Sequence, residues 1–296
     1  MNQIDCRQRF FIQNSPVRGD VVKLSDSFLT VIQQKPYPKA LKALLGEMLV
    51  SASLLIATLK IDGKLSIQLQ SINESSPLKF AMAECDHTGA VRALAGFSSE
   101  ETNLWDKLKT SDEVLALLQD SVLFISIHPE FGDSYQSIVE KVSDNLAECL
   151  THYQKQSAQI PTLIKLATND THASGILVQL LPQTQQDKDN DPDLWDRLTA
   201  LTDTIKDSEL TDLPADEILY RLYHEEDVVL PDCTPIHFAC TCSKEKSMGA
   251  IVQLGYNQAM QMLDVQHGDL VLDCGFCGKE YHFDGTAIKA IFGDNF

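Results

Sequence analysis

The sequence lacks an apolar run long enough to cross a bilayer. Its most apolar stretch, Ala43 to Leu59, carries Glu47 and has Ser51 and Ser53 inside it. It falls short of the roughly 20 residues a span needs and reads as a buried core helix. The opening MNQIDCRQRF has no basic start followed by an apolar run and a small-residue cleavage site, so no signal peptide is read and a cytosolic setting is expected. Positive charge is scarce: 24 Lys and Arg stand against 42 Asp and Glu, a net charge of −18. A field of that sign repels phosphate backbones and anionic lipid, so neither nucleic acid nor membrane is an expected partner. Missing too are a phosphate-binding glycine loop, an H-E-x-x-H, a G-x-S-x-G and any convergent acid–base set. The expectation is therefore a protein that is not an enzyme.

What is present is an ordinary globular composition, 44% hydrophobic and 22% charged over 296 residues, with room for about two domains. Residues 1 to 182 read as one mixed α+β domain. Pro38 suits a helix start, and Leu41, Leu44, Leu45, Met48, Leu49, Ala52, Leu55, Ile56 and Leu59 then share one helical face. Leu65–Gln70 alternates as a half-buried strand, and further strands are expected at Leu78–Cys85, Ala90–Leu94 and Val122–Ile127. Tyr135, Ile138, Val142, Leu146, Cys149 and Tyr153 recur at helical spacing, which predicts a second amphipathic helix. Cys6, Cys85 and Cys149 read as buried residues, and Arg7, Arg9 and Arg18 as a solvated basic face.

Composition shifts after Pro182. Gln183 to Asp193 is polar, acidic and broken by Pro192, as a linker would be, and Gln183 to Pro235 holds 15 acidic against 4 basic residues. Within residues 183–232, Leu194, Trp195, Leu198, Leu201 and Ile205 share one helical face, and Ile218, Leu219 and Leu222 another. Short, like-charged helices are weak alone, so these need a surface to dock on.

The third unit, residues 233–296, holds five of the eight cysteines, four of them in two tight pairs: Cys240-Thr241-Cys242 and Cys274-Gly275-Phe276-Cys277. Four thiolates can close a tetrahedral shell around one zinc ion, and a reducing compartment favours metal or redox chemistry over structural disulfides. His237, His267 and His282 lie near the pairs but read as surface or supporting residues, since four sulfurs already suffice. The second pair also has the C-G-x-C shape of a thioredoxin-type site, without the strand-then-helix context such a site needs. A static zinc-ribbon, serving as an interaction or nucleic-acid-binding module, remains the alternative reading. Size favours a metal that matters: a core of this extent rarely supplies more than about 3–5 kcal/mol, whereas four-thiolate zinc sites contribute about 10–16 kcal/mol in small peptides. Oxidation to Cys240–Cys242 and Cys274–Cys277 disulfides would remove all four ligands together, so oxidant is expected to release zinc and unfold this unit.

Over nearly its whole length the chain resembles the 33-kDa heat-shock-protein family of redox-regulated molecular chaperones. The resemblance is carried by Arg9-Phe10, Val17-Arg18-Gly19, Leu44-Leu45-Gly46-Glu47, Tyr153 to Thr162, Gly175 to Pro182, and above all by the two cysteine pairs with Phe238 before and Tyr281-x-Phe283 after them. Gly275 and Ala158 stand where family members commonly carry Glu, and Cys233 is an additional thiol that leaves the oxidised pairing open. The resemblance implies an ATP-independent holdase of the stress response with one zinc per chain. Such a protein is inactive and monomeric when reduced. Oxidation forms two disulfides, releases zinc, loosens the linker and yields a dimer that binds unfolding client proteins. Trp195, Leu198, Leu201, Leu219 and Leu222, with the surface they cover, are the expected client-binding face.

Overall fold

The computed structural model describes residues 5–118, 120–182 and 191–293, and the chain divides into two units, Met1–Phe238 and Ala239–Phe296. The expected linker start, Gln183 to Asn190, lies outside the described residues. The fold is mixed α+β.

The first unit is built from two antiparallel sheets. One has the order β10-β1-β2-β9-β8: β1 (Cys6–Ile12), β2 (Val17–Leu24), β8 (Thr162–Thr168), β9 (Ala173–Leu180) and β10 (Val228–Val229), with β11 (Thr234–Pro235) also on the outer edge of β1. The other has the order β12-β5-β4-β3-β6-β7: β3 (Gly63–Ser71), β4 (Leu78–Asp86), β5 (Ala90–Phe97), β6 (Ser121–Pro129), β7 (Tyr135–Val139) and β12 (His237–Phe238), the last pairing in parallel. Helix α1 (Asp26–Gln33) precedes the dominant helix α2 (Lys39–Ile56), which packs against strands of both sheets. Fifteen residues of α2 are buried, so the apolar stretch is a core helix, as expected. Among the described residues no helix is long and apolar enough to cross a membrane. Gly46 permits the close approach of α2, because a Cβ there would press on Phe28, Thr168 and Ala173.

Short helices α3 (Thr102–Trp105) and α4 (Ser111–Leu117) follow β5. A reciprocal capping box between Thr110 and Glu113 starts α4. The helix expected across Tyr135–Tyr153 is not one element. Tyr135–Val139 is the edge strand β7, paired to β6, and helix α5 begins only at Leu146 and ends at Tyr153. Asn145 sets that start by accepting the backbone N–H of Glu148. Three- and four-residue spacing of apolar side chains was satisfied by chance across a strand, a turn and a helix, and the cap decides where the helix begins.

Arg7, Arg9 and Arg18 do not form a solvated face. Arg9 Nε and Nη2 donate to the two carboxylate oxygens of Asp20 at 3.0 and 2.9 Å, and Arg18 donates to Gln179 Oε1. Asp20 is buried on β2, so it requires a forked cationic partner; burial nonetheless pushes its carboxyl above the ordinary range.

Glu47 is the other buried acid. Its carboxylate oxygen accepts from Ser111 Oγ at 2.5 Å, and burial, with Asp112 and Asp207 as lesser causes, pushes it up to about 8. Between its ordinary value of 4.5 and about 8 the unfolded chain has lost a proton that the folded chain keeps. Stability from this site is therefore fullest below 4.5 and declines until pH passes about 8. Glu47→Gln keeps an oxygen for Ser111 and removes that decline. Its stabilisation over wild type should be near zero at acid pH. It should then grow by about 1.4 kcal/mol for each pH unit climbed, reaching a few kcal/mol in mildly alkaline buffer. Urea melts at pH 5 and pH 8 test this, and an equal difference at both values would refute it.

The residues after 190 return to the first sheet. Helices α6 (Leu194–Thr202), α7 (Asp207–Asp212) and α8 (Ala215–Tyr223) are short and acidic. Leu198, Leu219 and Leu222 are fully buried in a cluster with Phe10, Val21, Ile176 and Val178 of the sheet, while Trp195 and Leu201 are partly buried against it. Lys23 Nζ donates to the carbonyls of Leu210 and Thr211 at 2.7 Å, placing a cation at the C-terminal end of α7. Burial lowers that lysine to about 8. The Tyr223 hydroxyl and Thr202 Oγ1 meet at 2.6 Å inside the cluster, and Arg197 bridges Asp191 and Glu226.

The second unit comprises α9 (Lys244–Leu254), α10 (Tyr256–Val265), the hairpin β13 (Asp269–Asp273) and β14 (Glu280–Asp284), and α11 (Gly285–Phe292). Gly255, at φ +84°, separates the first two helices. Its core is small: Ile251, Ala259, Leu263, Leu270, Tyr281, Phe283 and Ile288 are the buried members among the described residues.

Candidate metal centre

Cys240 and Cys242 lie just ahead of α9, whose first turn is capped by Ser243 accepting the Lys246 backbone N–H. Cys274 and Cys277 sit in the turn joining β13 to β14. Cys277 and Gly278 both donate their backbone N–H to the Cys274 carbonyl, at 3.2 and 2.8 Å, and Cys274 N–H donates to Lys279 O at 2.9 Å. Gly278 takes φ +68°, a left-handed conformation that glycine adopts without cost. This tight turn aims two sulfurs at one point.

The hairpin and the helix start bring the four sulfurs together, all within 4.8 Å of one another. Cys240 Sγ lies 3.6 Å from Cys274 Sγ, and Cys242 Sγ lies 3.5 Å from Cys277 Sγ, so each pair touches the other. Among the described residues none of the four is in a disulfide. A tetrahedral ion with metal–sulfur bonds of about 2.3 Å would set its sulfurs about 3.8 Å apart. The donor set therefore fits a four-thiolate metal site without rearrangement of the backbone.

Electrostatics point the same way. Tyr281 donates its hydroxyl to Cys242 Sγ at 3.1 Å, and this hydrogen bond lowers Cys242 to about 7. Burial, with the neighbouring sulfurs as a further cause, pushes Cys277 up to about 12 and also raises Cys240. Without a cation, four crowded sulfurs cannot all ionise; a divalent ion supplies the charge that makes four thiolates coexist. Lys244 and Lys279 add cations over the rings of Phe283 and Tyr281, each 5.3 Å from the ring centre.

The three histidines stand outside this cluster among the described residues. His282 Nδ1 is 2.7 Å from a carboxylate oxygen of Asp269 across the hairpin, and His237 belongs to β12 of the first unit. Tyr281 is the residue beside the sulfurs that metal-ligand reasoning missed. Its signal was the Tyr281-x-Phe283 alternation after the last cysteine, which places one ring beside the sulfurs and both in the small core. The extra thiol, Cys233, lies in the first unit, where its side chain is hydrogen-bonded to that of Cys6.

Comparison with known proteins gives a consistent picture. A family model described as "Hsp33 protein" matches residues 5–284. The 33 kDa chaperonin of Pseudomonas aeruginosa is 38% identical over 296 residues, spanning 99% of this chain and 96% of that protein. The 33 kDa chaperonin of Serratia proteamaculans is 36% identical over 299 residues, spanning 100% and 97%. Among solved structures, the 33 kDa chaperonin (heat shock protein 33 homolog) of Thermotoga maritima superposes with a TM-score of 0.77 over 97% of each chain, at 17% identity, a likeness of fold.

Proposed function

The chain belongs to the Hsp33 family of redox-regulated chaperones, and from that premise we propose that Cys240, Cys242, Cys274 and Cys277 hold one zinc ion and act as the switch of an ATP-independent holdase. The observation that carries this reading is the convergence of four cysteine sulfurs in a unit whose buried apolar core is so small. Bound zinc supplies a fixed centre of positive charge that keeps four thiolates together. The residues do the rest. Tyr281 donates its hydroxyl to Cys242 Sγ and so helps hold that sulfur as a thiolate, the species an oxidant attacks. Disulfides Cys240–Cys242 and Cys274–Cys277 withdraw all four ligands and leave residues 239–296 without their main source of stability.

In this reading, residues 1–182 form the client-binding and dimerisation domain, 183–232 the metastable linker and 233–296 the sensor. Loss of the sensor fold releases α6–α8, and Trp195, Leu198, Leu201, Leu219 and Leu222, with the sheet surface beneath them, take up unfolding clients. The reduced protein is a monomer and the oxidised protein a dimer, working in the cytosol without nucleic acid or membrane. The test is aggregation of a heat-denatured enzyme, followed before and after peroxide treatment of this protein, with zinc release recorded on the same sample. One zinc per chain should leave in parallel with the onset of aggregation suppression. Zinc retained unchanged under peroxide would favour the static zinc-ribbon instead.

A further inference from the structure

Residues 227–236 run antiparallel along the outer edge of β1 as a strap. Gln13 N–H donates to Asp227 O at 2.8 Å; Val228 and Val229 pair with Ile12 and Phe11; Gln8 Nε2 donates to Pro231 O at 2.7 Å; Thr234 and Pro235 pair with Arg7 and Cys6; and Ile236 N–H donates to Asp5 O at 2.9 Å. That register puts Cys233 and Cys6 on the same face of the strand pair, two positions offset, within reach of one another across the ladder. Their thiols are in hydrogen-bonding contact. On the other side Cys6 is directly paired with Lys23 of β2. Two cysteines that are 227 positions apart in the chain thus meet beside a cation.

We propose that Cys6 and Cys233 are a second redox site, which closes to a disulfide under peroxide and staples the strap to β1. The two thiols differ in access: Cys6 is buried and Cys233 half-exposed. Cys233 therefore meets the oxidant. Its thiolate attacks one oxygen of hydrogen peroxide, the O–O bond breaks, and Cys233 becomes a sulfenic acid while hydroxide takes up the thiol proton as water. The Cys6 thiolate, helped by the Lys23 ammonium beside it, then attacks the Cys233 sulfur. The S–O bond breaks, hydroxide leaves and takes up the Cys6 proton as a second water. The balance is two thiols and one peroxide to one disulfide and two waters. Burial pushes the Cys6 thiol up to about 11, with Cys233 as the next cause and Lys23 opposing, which suits a thiol that waits for a sulfenic acid rather than one that meets solvent oxidant.

The bond has a structural consequence that rests on the switch reading above. If α6–α8 leave the sheet on activation, the strap that follows them would peel away and bare β1, Cys6–Ile12, as an open edge. Unpaired strand edges template aggregation, a liability in a protein that handles unfolding chains. A Cys6–Cys233 bond lets the helices go and holds the edge closed.

Full-length protein, reduced and zinc-loaded and then treated with hydrogen peroxide, should yield on non-reducing digestion one peptide pair joined through Cys6 and Cys233. Both cysteines should also lose iodoacetamide labelling. Cys233 recovered still alkylatable, or joined to Cys240, Cys242, Cys274 or Cys277, would overturn the proposal. The outward-facing backbone amides of Cys6–Ile12, those not bonded to β2, should keep their hydrogen-exchange protection in the oxidised wild type and lose it in oxidised Cys233→Ser; equal protection in both would overturn the staple. Zinc measured in the same samples separates the two readings. Zinc release without the Cys6–Cys233 bond refutes the second redox site alone, and the bond without zinc release refutes the switch alone.

Discussion

Cys277→Ser is expected to leave the protein without zinc and residues 239–296 without a stable fold, while the core around α2 in the first unit keeps its own. The second unit buries seven apolar side chains among its described residues, whereas the first has two clusters of its own, one around α2 and one beneath α6–α8. A small core of that kind supplies about 3–5 kcal/mol at most, and the backbone entropy of ordering the segment consumes it. A four-thiolate zinc site contributes about 10–16 kcal/mol in small zinc peptides, so the metal decides whether the unit is folded. Serine retains an oxygen, but a hydroxyl is a poor substitute for a thiolate as a zinc ligand and adds no negative charge. Cys242 would also lose its sulfur neighbour at 3.5 Å. Metal analysis of the purified variant should find zinc far below one per chain. Hydrogen exchange should show Ile251, Leu263, Leu270 and Phe283 unprotected, with the amides of α2 unchanged. A variant that binds no metal and still protects β13 and β14 would remove the basis of the switch.

Much of this arrangement is legible in the sequence where periodicity is clean and local. The alternation Leu65–Gln70 became β3, and the apolar face from Leu41 became α2. Both cysteine pairs could be read together because each is a compact motif whose sulfurs converge only on a shared ion. The first sheet was less legible. Strand β9 is buried at seven of its eight positions, so it shows no alternation to read, and β1 mixes Arg7, Gln8 and Arg9 with Phe10 and Ile12. Arg9 finds its partner on β2, and Cys6 finds Cys233 through the strap; neither pairing has a local signature, because each depends on a register set by distant parts of the chain. Glu47 was legible as a break in an apolar run but not as a protonated hydrogen-bonding partner of Ser111, which comes from another helix. The helix read across Tyr135–Tyr153 shows the reverse error, where a period was present but the Ser143–Asn145 turn and cap overruled it.

The double variant Leu198→Ser, Leu219→Ser is expected to suppress client aggregation while still reduced and still holding zinc. Both side chains are fully buried, one on α6 and one on α8, in the cluster shared with Phe10, Val21, Ile176 and Val178. Truncating a buried leucine to alanine costs about 2–5 kcal/mol, and serine adds a hydroxyl with no partner in that cluster. The helices have nine residues each, too short to persist in water without a docking surface. The polar clips do not compensate: Lys23 holds only α7, and the Arg197 and Arg221 ion pairs are partly exposed and worth little alone. The docked state therefore rests on the apolar face, and removing two of its leucines shifts the balance toward helices off the sheet. Val21, Ile176 and Val178 then face solvent as a continuous apolar surface, the same surface that oxidation is proposed to uncover. Tyr220→Ser, at a side chain 73% exposed on the opposite face of α8, is the control and should leave the reduced protein inactive. Light scattering of a heat-denatured enzyme measures the effect, and exchange at residues 194–223 shows whether the helices have undocked. Undocked helices in a reduced protein that remains inactive would show that clients are held elsewhere.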